Sequence, residues 1–264
     1  NLDILEADGC QILTPDSGEL ACGTVGPGRL PEPELIADRI ANRLCKKDFL
    51  HSKVLVTAGP TREPIDPVRF ISNPSSGKMG FALARAAEFR GADVTLITGP
   101  THLSDPLNVN VVRVSTAQEM AWAVFSFMDE ADVIIKSAAV SDYRAKKEEF
   151  HKIKKEKESI FLELEKTVDI LSEIGRKKKP GQVLVGFAAE TQDLEKNAGK
   201  KLSGKNLDLI VGNIVGQKGS GFGSDQNIVT FFYKDGTSES LQSMEKELIA
   251  HELLDRAGPL KTAR

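Results

Sequence analysis

The chain of 264 residues is long enough for one large domain with an appendage, and for a core that needs no disulfide bonds. Its 35 basic and 38 acidic side chains leave a net charge of −3, which excludes a general binder of nucleic acids or membrane surfaces. A hydrophobic content of 40% excludes a disordered chain, and three cysteines without a C-x-x-C pair argue against a disulfide framework or a zinc knuckle. The same cysteine pattern makes a reducing cytoplasm the expected location. We expect no membrane span and no signal peptide, because no apolar run approaches the roughly 18 residues of a span.

The first part of the chain shows little regular patterning. Residues 1–33 are rich in Gly, Pro and Asp, and residues 34–48 are predicted to form one short amphipathic helix. From Lys53 onward, β-branched runs alternate with segments of helical period, which predicts a parallel sheet wrapped by helices. We expect strands at 53–58, 93–98, 111–114, 132–137, 182–187 and 207–211, and helices at 78–90, 117–130, 168–178 and 193–203.

The carboxyl-terminal part has a different pattern. Residues 227–233, an Asp-Gly turn and a polar run predict an antiparallel hairpin, and a closing helix follows at 243–257. Residues 144–158 are rich in lysine and have little hydrophobic spacing, which predicts a mobile loop. The fold class expected from these elements is α/β: a Rossmann-like, mostly parallel sheet with helices on both faces and a β-hairpin extension.

A long polar loop, residues 59–77, separates the first predicted strand from its helix. Its end, SSGKMG, presents free N–H groups and the positive end of a helix dipole, which suit an anion such as phosphate. Ordinary capping of the helix by Ser75 or Ser76 explains the same residues without a ligand. Two phosphate motifs fail: Met79 stands where a Walker A loop has a hydroxyl, and Gly99 follows the second strand where a dinucleotide fold has a carboxylate.

Small and polar residues also follow two later strands, in SAAVSDYR (137–144) and GFAAET (186–191). Phe187 could stack on a base, and Asp142 could hold a ribose hydroxyl or a metal or simply form an Asx turn. Lysines lie at 152, 154 and 155 and, at i, i+4 spacing on one helix face, at 201 and 205, although lysine runs are usually solvated surface. Because the carboxyl ends of parallel strands meet at one edge of the sheet, these groups together predict a polyphosphate site.

Residues 57–80, TAGPTREPIDPVRFISNPSSGKMG, closely resemble the signature of bacterial phosphopantothenate–cysteine ligases. The segments AAV-x-DYR, KIKK, GFAAET and KNLDLI follow in the family's order, so that the resemblance spans about residues 52–257. In bacteria this ligase is commonly the carboxyl half of a bifunctional protein that begins with phosphopantothenoylcysteine decarboxylase. LACGTVGPGR (20–29) looks like the decarboxylase's substrate clamp, and Cys22 matches its proton-donating cysteine.

The resemblance therefore implies a truncated decarboxylase remnant plus linker at 1–45 and a ligase domain at 46–264, within a longer parent protein. The decarboxylase family's catalytic histidine and flavin segment have no counterpart, so we expect no flavin site in this chain. FMN belongs only to the full-length decarboxylase part.

The resemblance also implies a reaction, the ligation of 4′-phosphopantothenate with L-cysteine in coenzyme A biosynthesis. The substrate carboxylate attacks the α-phosphorus of CTP to give an acyl-cytidylate and pyrophosphate, and the cysteine amine then displaces CMP. CTP acts as a co-substrate with Mg²⁺, whose ligands the sequence does not identify. The implied partners are the two substrates and a second ligase domain in a homodimer, with no nucleic acid and no membrane.

Residue roles follow from the same resemblance. Asn73 assists conversion of the acyl-cytidylate by donating to a developing oxyanion, Arg69 holds an anionic substrate group, and Lys152 closes over the nucleotide phosphates. The implied CTP contacts, besides Lys152, are Lys136, Ser137, Ala138, Asp142, Val168, Asp169, Ile170, Leu171, Phe187, Lys201 and Lys205. One departure is Val168, where the family often has proline; a backbone contact to the nucleotide survives this change, whereas one that depends on a proline-fixed turn does not.

Two other functions fit the strand pattern. An NAD(P)-dependent Rossmann-fold reductase is the alternative enzyme, and the missing acidic residue after Ile97 argues against it. A non-catalytic nucleotide-binding module is the other possibility. It would bind CTP yet release no pyrophosphate when given both substrates.

Overall fold

The structure, a computed structural model, describes residues 1–20, 22–154, 158–190, 192–214 and 224–261. It divides into two compact units, Asn1–Lys46 and Lys47–Arg264. The first unit contains helix α1 (Leu2–Ala7), strands β1 (Asp16–Glu19) and β2 (Val25–Arg29), which pair antiparallel, and helix α2 (Pro33–Leu44). Helix α2 was predicted, whereas α1 and the hairpin were not. The assignment of residues 1–45 to a decarboxylase remnant stays a prediction.

The second unit contains the predicted alternation of strands and helices. Its strands are β3 (Lys53–Ala58), β4 (Arg62–Pro64), β5 (Phe70–Ser72), β6 (Asp93–Thr98), β7 (Asn110–Arg113), β8 (Val133–Lys136), β9 (Tyr143–Ala145), β10 (Leu164–Lys166), β11 (Val183–Glu190), β12 (Leu209–Ile214), β13 (Gln226–Asn227), β14 (Thr230–Tyr233), β15 (Ser238–Ser240) and β16 (Met244–Glu245). Its helices are α3 (Lys78–Phe89), α4 (Ala117–Phe127), α5 (Ile170–Lys177), α6 (Leu194–Gly204) and α7 (Lys246–Ala257). The predicted helices and parallel strands are all present, with ends shifted by up to three residues.

The main sheet has eight strands in the order β15-β14-β12-β11-β8-β3-β6-β7. The six strands from β12 to β7 are parallel, and β14 and β15 add an antiparallel edge. The turn between β14 and β15 places Gly236 at φ 87°, which explains why an Asp-Gly pair stands there. The predicted α/β, Rossmann-like fold class is confirmed.

Two apolar clusters cover the faces of this sheet. Alternate residues of the central strands point to opposite faces, so Val56 belongs to the cluster that includes residues of α3 and α7, whereas Leu55 belongs to the cluster that includes residues of α4, α5 and α6. Both side chains are at most 1% exposed. The continuous apolar runs that predicted these strands therefore result from burial on both faces. Among the described residues, no helix combines the length and apolar character that crossing a membrane requires.

The lysine-rich stretch 144–158 was predicted to be a loop, and this was wrong for its first residues. Arg144 lies in β9 and pairs across the ladder with Glu165 of β10, with an ion pair of 2.7 Å between Arg144 Nη2 and Glu165 Oε1. Lys146 continues the pattern, with its Nζ 2.6 Å from Glu163 Oε1. Cross-strand ion pairs thus help to stabilise the β9–β10 ladder, although its sequence lacks the alternating hydrophobic residues typical of a strand. Residues 155–157 of this stretch lie outside the described residues.

The order of the strands places a crevice at the end of β3. The chain leaves β3 through α3 and reaches β6 on one side, and it returns through α4 to β8 on the other side. The loops after β3 and β8 therefore diverge from neighbouring strand ends. In open α/β sheets this switch in strand order is where ligands bind.

Candidate functional site

The loops that follow β3 and β8 are bound to each other through their backbones. The N–H of Ala139 donates to Gly59 O at 2.9 Å, and the N–H of Thr61 donates to Ala139 O at 3.3 Å. The N–H of Ala138, in the loop after β8, donates to the side-chain Oγ1 of Thr57 in β3 at 3.2 Å. These contacts hold the two strand ends as one surface, on which a ligand can lie.

A cavity of about 210 Å³ opens at these strand ends. Its lining comes from the turn before α3, the loop after β8, and the ends of β11 and β12, and consists of Ser75–Gly80, Lys136–Val140, Phe187, Ala189, Asn213, Asn227 and Lys246. The structure thus brings together four predicted contacts, Lys136, Ser137, Ala138 and Phe187, with the predicted anion-binding turn.

A second, larger depression of about 530 Å³ lies beside Lys78 and Lys246, along α3 and the start of α7. Its walls carry ion pairs, Lys78 with Asp225 at 2.6 Å and Arg85 with Glu247 at 3.0 Å. It contains none of the predicted nucleotide contacts. We therefore assign the candidate site to the smaller cavity at the strand ends.

The turn before α3 depends on two glycines. Gly77 has φ 81°, and a Cβ at this position would lie 2.7 Å from Thr101 Cγ2. A Cβ on Gly80 would lie 2.4 Å from Ala58 Cβ, because α3 packs closely on β3. This close approach places the positive end of the α3 dipole at the carboxyl end of β3. Gly77 is the N-cap residue and has no side chain to cap the helix. The serine hydroxyls before it contribute instead, since the N–H of Gly77 donates to Ser75 Oγ at 3.4 Å and the N–H of Lys78 donates to Ser76 Oγ at 3.5 Å.

Asn73 links the two loops. Its Nδ2 donates to Ala139 O and to Val140 O, at 3.2 Å each. Because both partners are carbonyl oxygens, the amide nitrogen is the atom that faces them. Both contacts of the amide nitrogen are thus made within the chain, and Oδ1 is the amide atom that faces neither carbonyl. The role expected for Asn73 in converting the acyl-cytidylate stays a prediction.

Lys136 is a partly buried cation in the cavity. Its Nζ donates to Ala138 O at 2.8 Å. Burial and repulsion by Lys205 lower the pKa of Lys136 to about 8, against attraction by Asp169 and Asp142. An anion bound beside the ammonium group would restore its preference for the charged form.

Lys201 and Lys205 are each paired with a carboxylate, which offsets the repulsion between two cations at i, i+4 spacing. Lys201 Nζ lies 2.7 Å from Glu190 Oε1, and Lys205 Nζ lies 2.7 Å from Asp169 Oδ2. Burial raises the pKa of Asp169, but the hydrogen bonds from Lys205 and Ser172 outweigh burial and hold this pKa below its ordinary value. The carboxylates keep these cations in place in the absence of nucleotide.

The segment before α5 is fixed without the proline that the family often has. The N–H of Thr167 donates to Asp142 O at 3.0 Å, and its hydroxyl donates to Ser141 O at 2.5 Å. Ile170 and Leu171 are buried at 2% and 7% exposure, and their side chains pack within the core. Their predicted nucleotide contacts stay predictions. Val168 packs against the same core cluster.

Asp142, Asp169, Lys201 and Lys205 lie outside the cavity lining, although all four are close enough to affect the pKa of Lys136.

Lys152 and Arg69 do not line the cavity either. Lys152 is exposed, and the neighbouring Ile153 is bound by the ion pair of Arg69 with Asp66. The hydrogen bonds from Arg69 hold the pKa of Asp66 well below its usual range, against the effect of burial. Lys155 and Thr191, which belong to predicted motifs, lie outside the described residues.

Cys22 belongs to the N-terminal unit, where its thiol is exposed. Its Sγ lies 3.2 Å from Thr24 Oγ1, and this contact lowers the pKa of the thiol. A lowered pKa makes a thiol more reactive. The decarboxylase role expected for Cys22 stays a prediction.

Sequence reasoning missed three lining residues, Asn213, Asn227 and Lys246. Asn213 lies near the end of β12, where the strand-end rule could have found it. No sequence motif surrounds Lys246. It directly follows Glu245 of β16, whose pairing with Gln226 of β13 brings Lys246 to the cavity. Its Nζ donates to Ser224 O, and burial with repulsion by Lys78 lowers its pKa.

Comparison with known proteins gives one family and several similar chains. The profile of the family described as "DNA/pantothenate metabolism flavoprotein C-terminal domain" matches residues 49–259. The coenzyme A biosynthesis bifunctional protein CoaBC of Bacillus subtilis (strain 168) is 50% identical, over 98% of this chain and 65% of that protein. The protein of the same name from Escherichia coli (strain K12) is 45% identical, over 97% of this chain and 64% of that protein. This chain therefore spans slightly less than two thirds of both relatives.

A solved structure has the same architecture. The crystal structure of the C-terminal domain of a coenzyme A biosynthesis bifunctional protein CoaBC superposes with a TM-score of 0.70 at 44% identity. The match covers 81% of this chain and 98% of that one. The similarity thus includes almost the whole of that domain.

Proposed function

The chain belongs to the family of DNA/pantothenate metabolism flavoprotein C-terminal domains, and from this premise we propose that it is the ligase part of a coenzyme A biosynthesis protein. It joins 4′-phosphopantothenate to L-cysteine, with CTP as the activating nucleotide and an acyl-cytidylate as the intermediate. CMP and pyrophosphate are the other products. The observation that supports this most is the cavity where Lys136, Phe187 and the turn before α3 meet at the switch in strand order.

Charge in the cavity suits a nucleoside triphosphate. Lys136 lies within it, and Lys201 and Lys205 lie close enough to lower the pKa of Lys136. A triphosphate would take over the role that Glu190 and Asp169 now have as partners of these lysines. The aromatic ring of Phe187 offers a stacking surface to the base, and the backbone of the loop after β8 offers hydrogen bonds that read its edge.

The turn before α3 suits a second anionic group. Several N–H groups at a helix N-terminus bind phosphate well, and Lys78 and Lys246 line the same cavity. The cavity thus has places for anionic groups of both substrates, the triphosphate and the 4′-phosphate. Bringing them side by side is the main requirement of the first step, because positioning replaces a bimolecular encounter.

Asn73 is suited to the second step through its oxygen. Its amide hydrogens bind the carbonyls of Ala139 and Val140, so Oδ1 is directed away from them. An oxygen acceptor at this place can bind the N–H of the incoming cysteine amine and orient the nitrogen for attack on the acyl carbon. The leaving group of this step is CMP.

Mg²⁺ would be bound mainly through the nucleotide. In the part of the chain that the structure describes, no group of three or more His, Cys, Asp or Glu side chains is placed to hold a metal ion. Mg²⁺ commonly keeps its waters and binds one or two carboxylates together with substrate phosphates, so a triphosphate in this cavity fits it without such a group. FMN has no part in the proposed reaction.

We also propose that the chain forms a homodimer. Its proposed location is the cytoplasm. The β9–β10 hairpin and the residues around it expose apolar side chains, among them Tyr143 at 47%, Phe161 at 95% and Leu164 at 44%. Apolar groups concentrated on one exposed hairpin are typical of a protein interface. Light scattering of the purified chain measures this directly, and a mass of one chain at all concentrations would contradict it.

The decisive experiment supplies phosphopantothenate and cysteine with each nucleoside triphosphate in turn and measures pyrophosphate. We expect CTP to give the fastest release, and equal or faster release with ATP would contradict the nucleotide assignment. Binding of CTP without pyrophosphate release would indicate the non-catalytic module. A titration with NADH and NADPH tests the reductase, for which we expect no binding.

A further inference from the structure

Asp66 is a buried carboxylate that the predicted reaction does not use. Its side chain has no exposed surface, and it lies in the turn between β4 and β5. Oδ1 accepts from the N–H groups of Val68 and Arg69, at 2.9 Å each. Oδ2 accepts from Arg69 Nε at 3.0 Å, from Arg69 Nη2, and from the N–H of Ile153 at 3.1 Å. Four donors come from its own turn, and the fifth comes from a distant part of the chain.

That distant part is the lysine-bearing segment. Arg69 Nη2 also donates to Ile153 O at 2.9 Å, so one ion pair binds both backbone polar groups of Ile153. The N–H of Glu149 adds a third contact, with Ile65 O at 3.0 Å. Lys152 lies between these anchoring points and is exposed. The backbone on both sides of Lys152 is therefore fixed, while its side chain is directed to solvent.

The energetics favour such an anchor. A carboxylate removed from water is tolerated when a cation and several donors compensate it, and removal of one member leaves the others buried without a partner. Fixing a residue's backbone before a ligand binds spares the entropy that would otherwise be lost on binding. A lysine on an anchored backbone thus approaches an anion at lower cost than one on a free loop.

We propose that Asp66 is a positioning residue that, through Arg69 and the backbone of Ile153, holds Lys152 ready for the nucleotide phosphates. The inference extends the proposed function, from which it takes the role of Lys152. Arg69 has a structural part in it, in addition to any contact with substrate.

A first test measures the anchor without any substrate. Asp66→Asn keeps the size of the side chain and one carbonyl oxygen but removes the charge that binds Arg69 and the acceptor Oδ2 for Ile153. We expect trypsin to cleave the nucleotide-free variant after Lys152 and Lys154 about fivefold or more faster than the parent chain, since proteolysis follows the population of the open segment. Mass spectrometry of the fragments identifies the cleavage sites. Asp105→Asn, which breaks the exposed pair with Arg113 at 2.7 Å, is the matched control and should leave these rates unchanged.

A second test asks whether Asp66 acts through Lys152. We expect Asp66→Asn to raise the KM for CTP more than it lowers kcat. In the variant, the segment that carries Lys152 has to be ordered when CTP binds, and this costs binding free energy. Lys152→Gln should remove most of this effect, so that the double variant resembles Lys152→Gln alone, as for two residues that act as one unit. Full additivity in the double variant would overturn the proposal.

The two tests separate the anchor from the reaction. If the chain does not use CTP, the cleavage rates still report on Asp66, and unchanged rates at Lys152 and Lys154 would overturn the anchor by themselves. If Asp66→Asn does not fold, Ile153→Pro removes the same N–H donor without touching the buried pair. Since trypsin does not cleave before proline, this variant is read at Lys154, where the proposal requires faster cleavage and an unchanged rate contradicts it.

Discussion

At the scale of single residues, the loop after β8 depends on donors from two directions. Asn73 reaches it from the loop after β3, and Lys136 reaches it from the strand itself, each through carbonyl oxygens of residues 138–140. Both side chains are therefore structural supports of the loop that forms the cavity. Substitutions here change the shape of the loop as well as the chemistry at it.

Asn73→Asp is expected to separate the two steps of the reaction. Nδ2 of Asn73 lies 3.2 Å from the carbonyl oxygens of both Ala139 and Val140. The change puts a carboxylate oxygen in its place, and repulsion from the two carbonyls turns the side chain away. The cysteine amine then loses the acceptor that orients it. We expect acyl-cytidylate to accumulate while pyrophosphate is still formed. Rapid-quench chromatography measures this, and Asn110→Asp, at an exposed site, is the control. Loss of both products together would contradict the assignment.

Lys152→Gln is expected to act on the first step. It removes the positive charge from the exposed position next to the anchored Ile153, so stabilisation of the phosphates during pyrophosphate formation is lost. Removal of one such group typically lowers a rate by about 10²–10³. Single-turnover release of pyrophosphate is the measurement. Lys147→Gln, in the same lysine-rich stretch but paired with Glu149 at 2.8 Å, should have little effect, and intermediate accumulating in the Lys152 variant would reverse the assignment.

Lys136→Met tests the lowered pKa of Lys136. The folded chain holds this pKa at about 8, below the ordinary 10.5, so the unfolded chain binds more protons between these values. Stability of the parent chain relative to the variant must therefore rise with pH from about 8 to 10.5, because the cost of the buried charge disappears when the folded lysine becomes neutral. Thermal unfolding of both proteins across this range measures it. A constant difference between them would contradict the lowered pKa.

At the scale of elements, α3 has to lie close to β3 for its N-terminus to reach the cavity. Gly80 makes this possible, since a Cβ there would meet Ala58 Cβ at 2.4 Å and Ala58 Cα at 2.9 Å. The first turn of α3 follows the same geometry and forms one wall of the cavity. The position of the predicted anion-binding turn therefore depends on the close packing of α3 on β3.

Gly80→Ala is expected to destabilise the fold by about 1–3 kcal/mol, because the added methyl overfills a packed contact. Gly199→Ala is the matched control: it lies within α6, a Cβ there meets nothing within 4 Å, and the substitution should stabilise by about 0.5–1 kcal/mol. Chemical denaturation of the two variants measures both free energies of unfolding. If both substitutions changed the free energy of unfolding equally, the close contact of α3 with β3 would not explain the loss of stability in Gly80→Ala.

At the scale of the whole molecule, stability resides in the second unit. Its two apolar clusters cover both faces of the sheet, whereas helices α1 and α2 of the first unit contain no buried residue. We expect deletion of residues 1–46 to leave the unfolding temperature and the pyrophosphate release of the remaining chain unchanged. Circular dichroism of the remaining chain during heating measures the unfolding temperature. A large fall in the unfolding temperature would show that the second unit depends on the first.

The first unit is expected to be inactive as a decarboxylase. By resemblance only Cys22 of that active site is present, so the purified chain should neither turn yellow with FMN nor release CO₂ from phosphopantothenoylcysteine. An absorbance spectrum after addition of FMN and gel filtration tests this. Stoichiometric bound flavin would contradict the expectation.

The sequence predicted the order and type of the main elements, since strands buried on both faces leave continuous apolar runs and amphipathic helices leave a helical period. It also marked Ser137, Ala138 and Phe187, because parallel strands align their carboxyl ends whatever the loops do. The contacts of Asn73 through its amide nitrogen, and the pairing of Lys201 and Lys205 with carboxylates, could be recognised only in the folded chain. The same holds for the access of Lys246 to the cavity and of Asp66 to Ile153, separated by 87 positions in the chain. Such contacts depend on where loops meet in space, and no local pattern of residues records that.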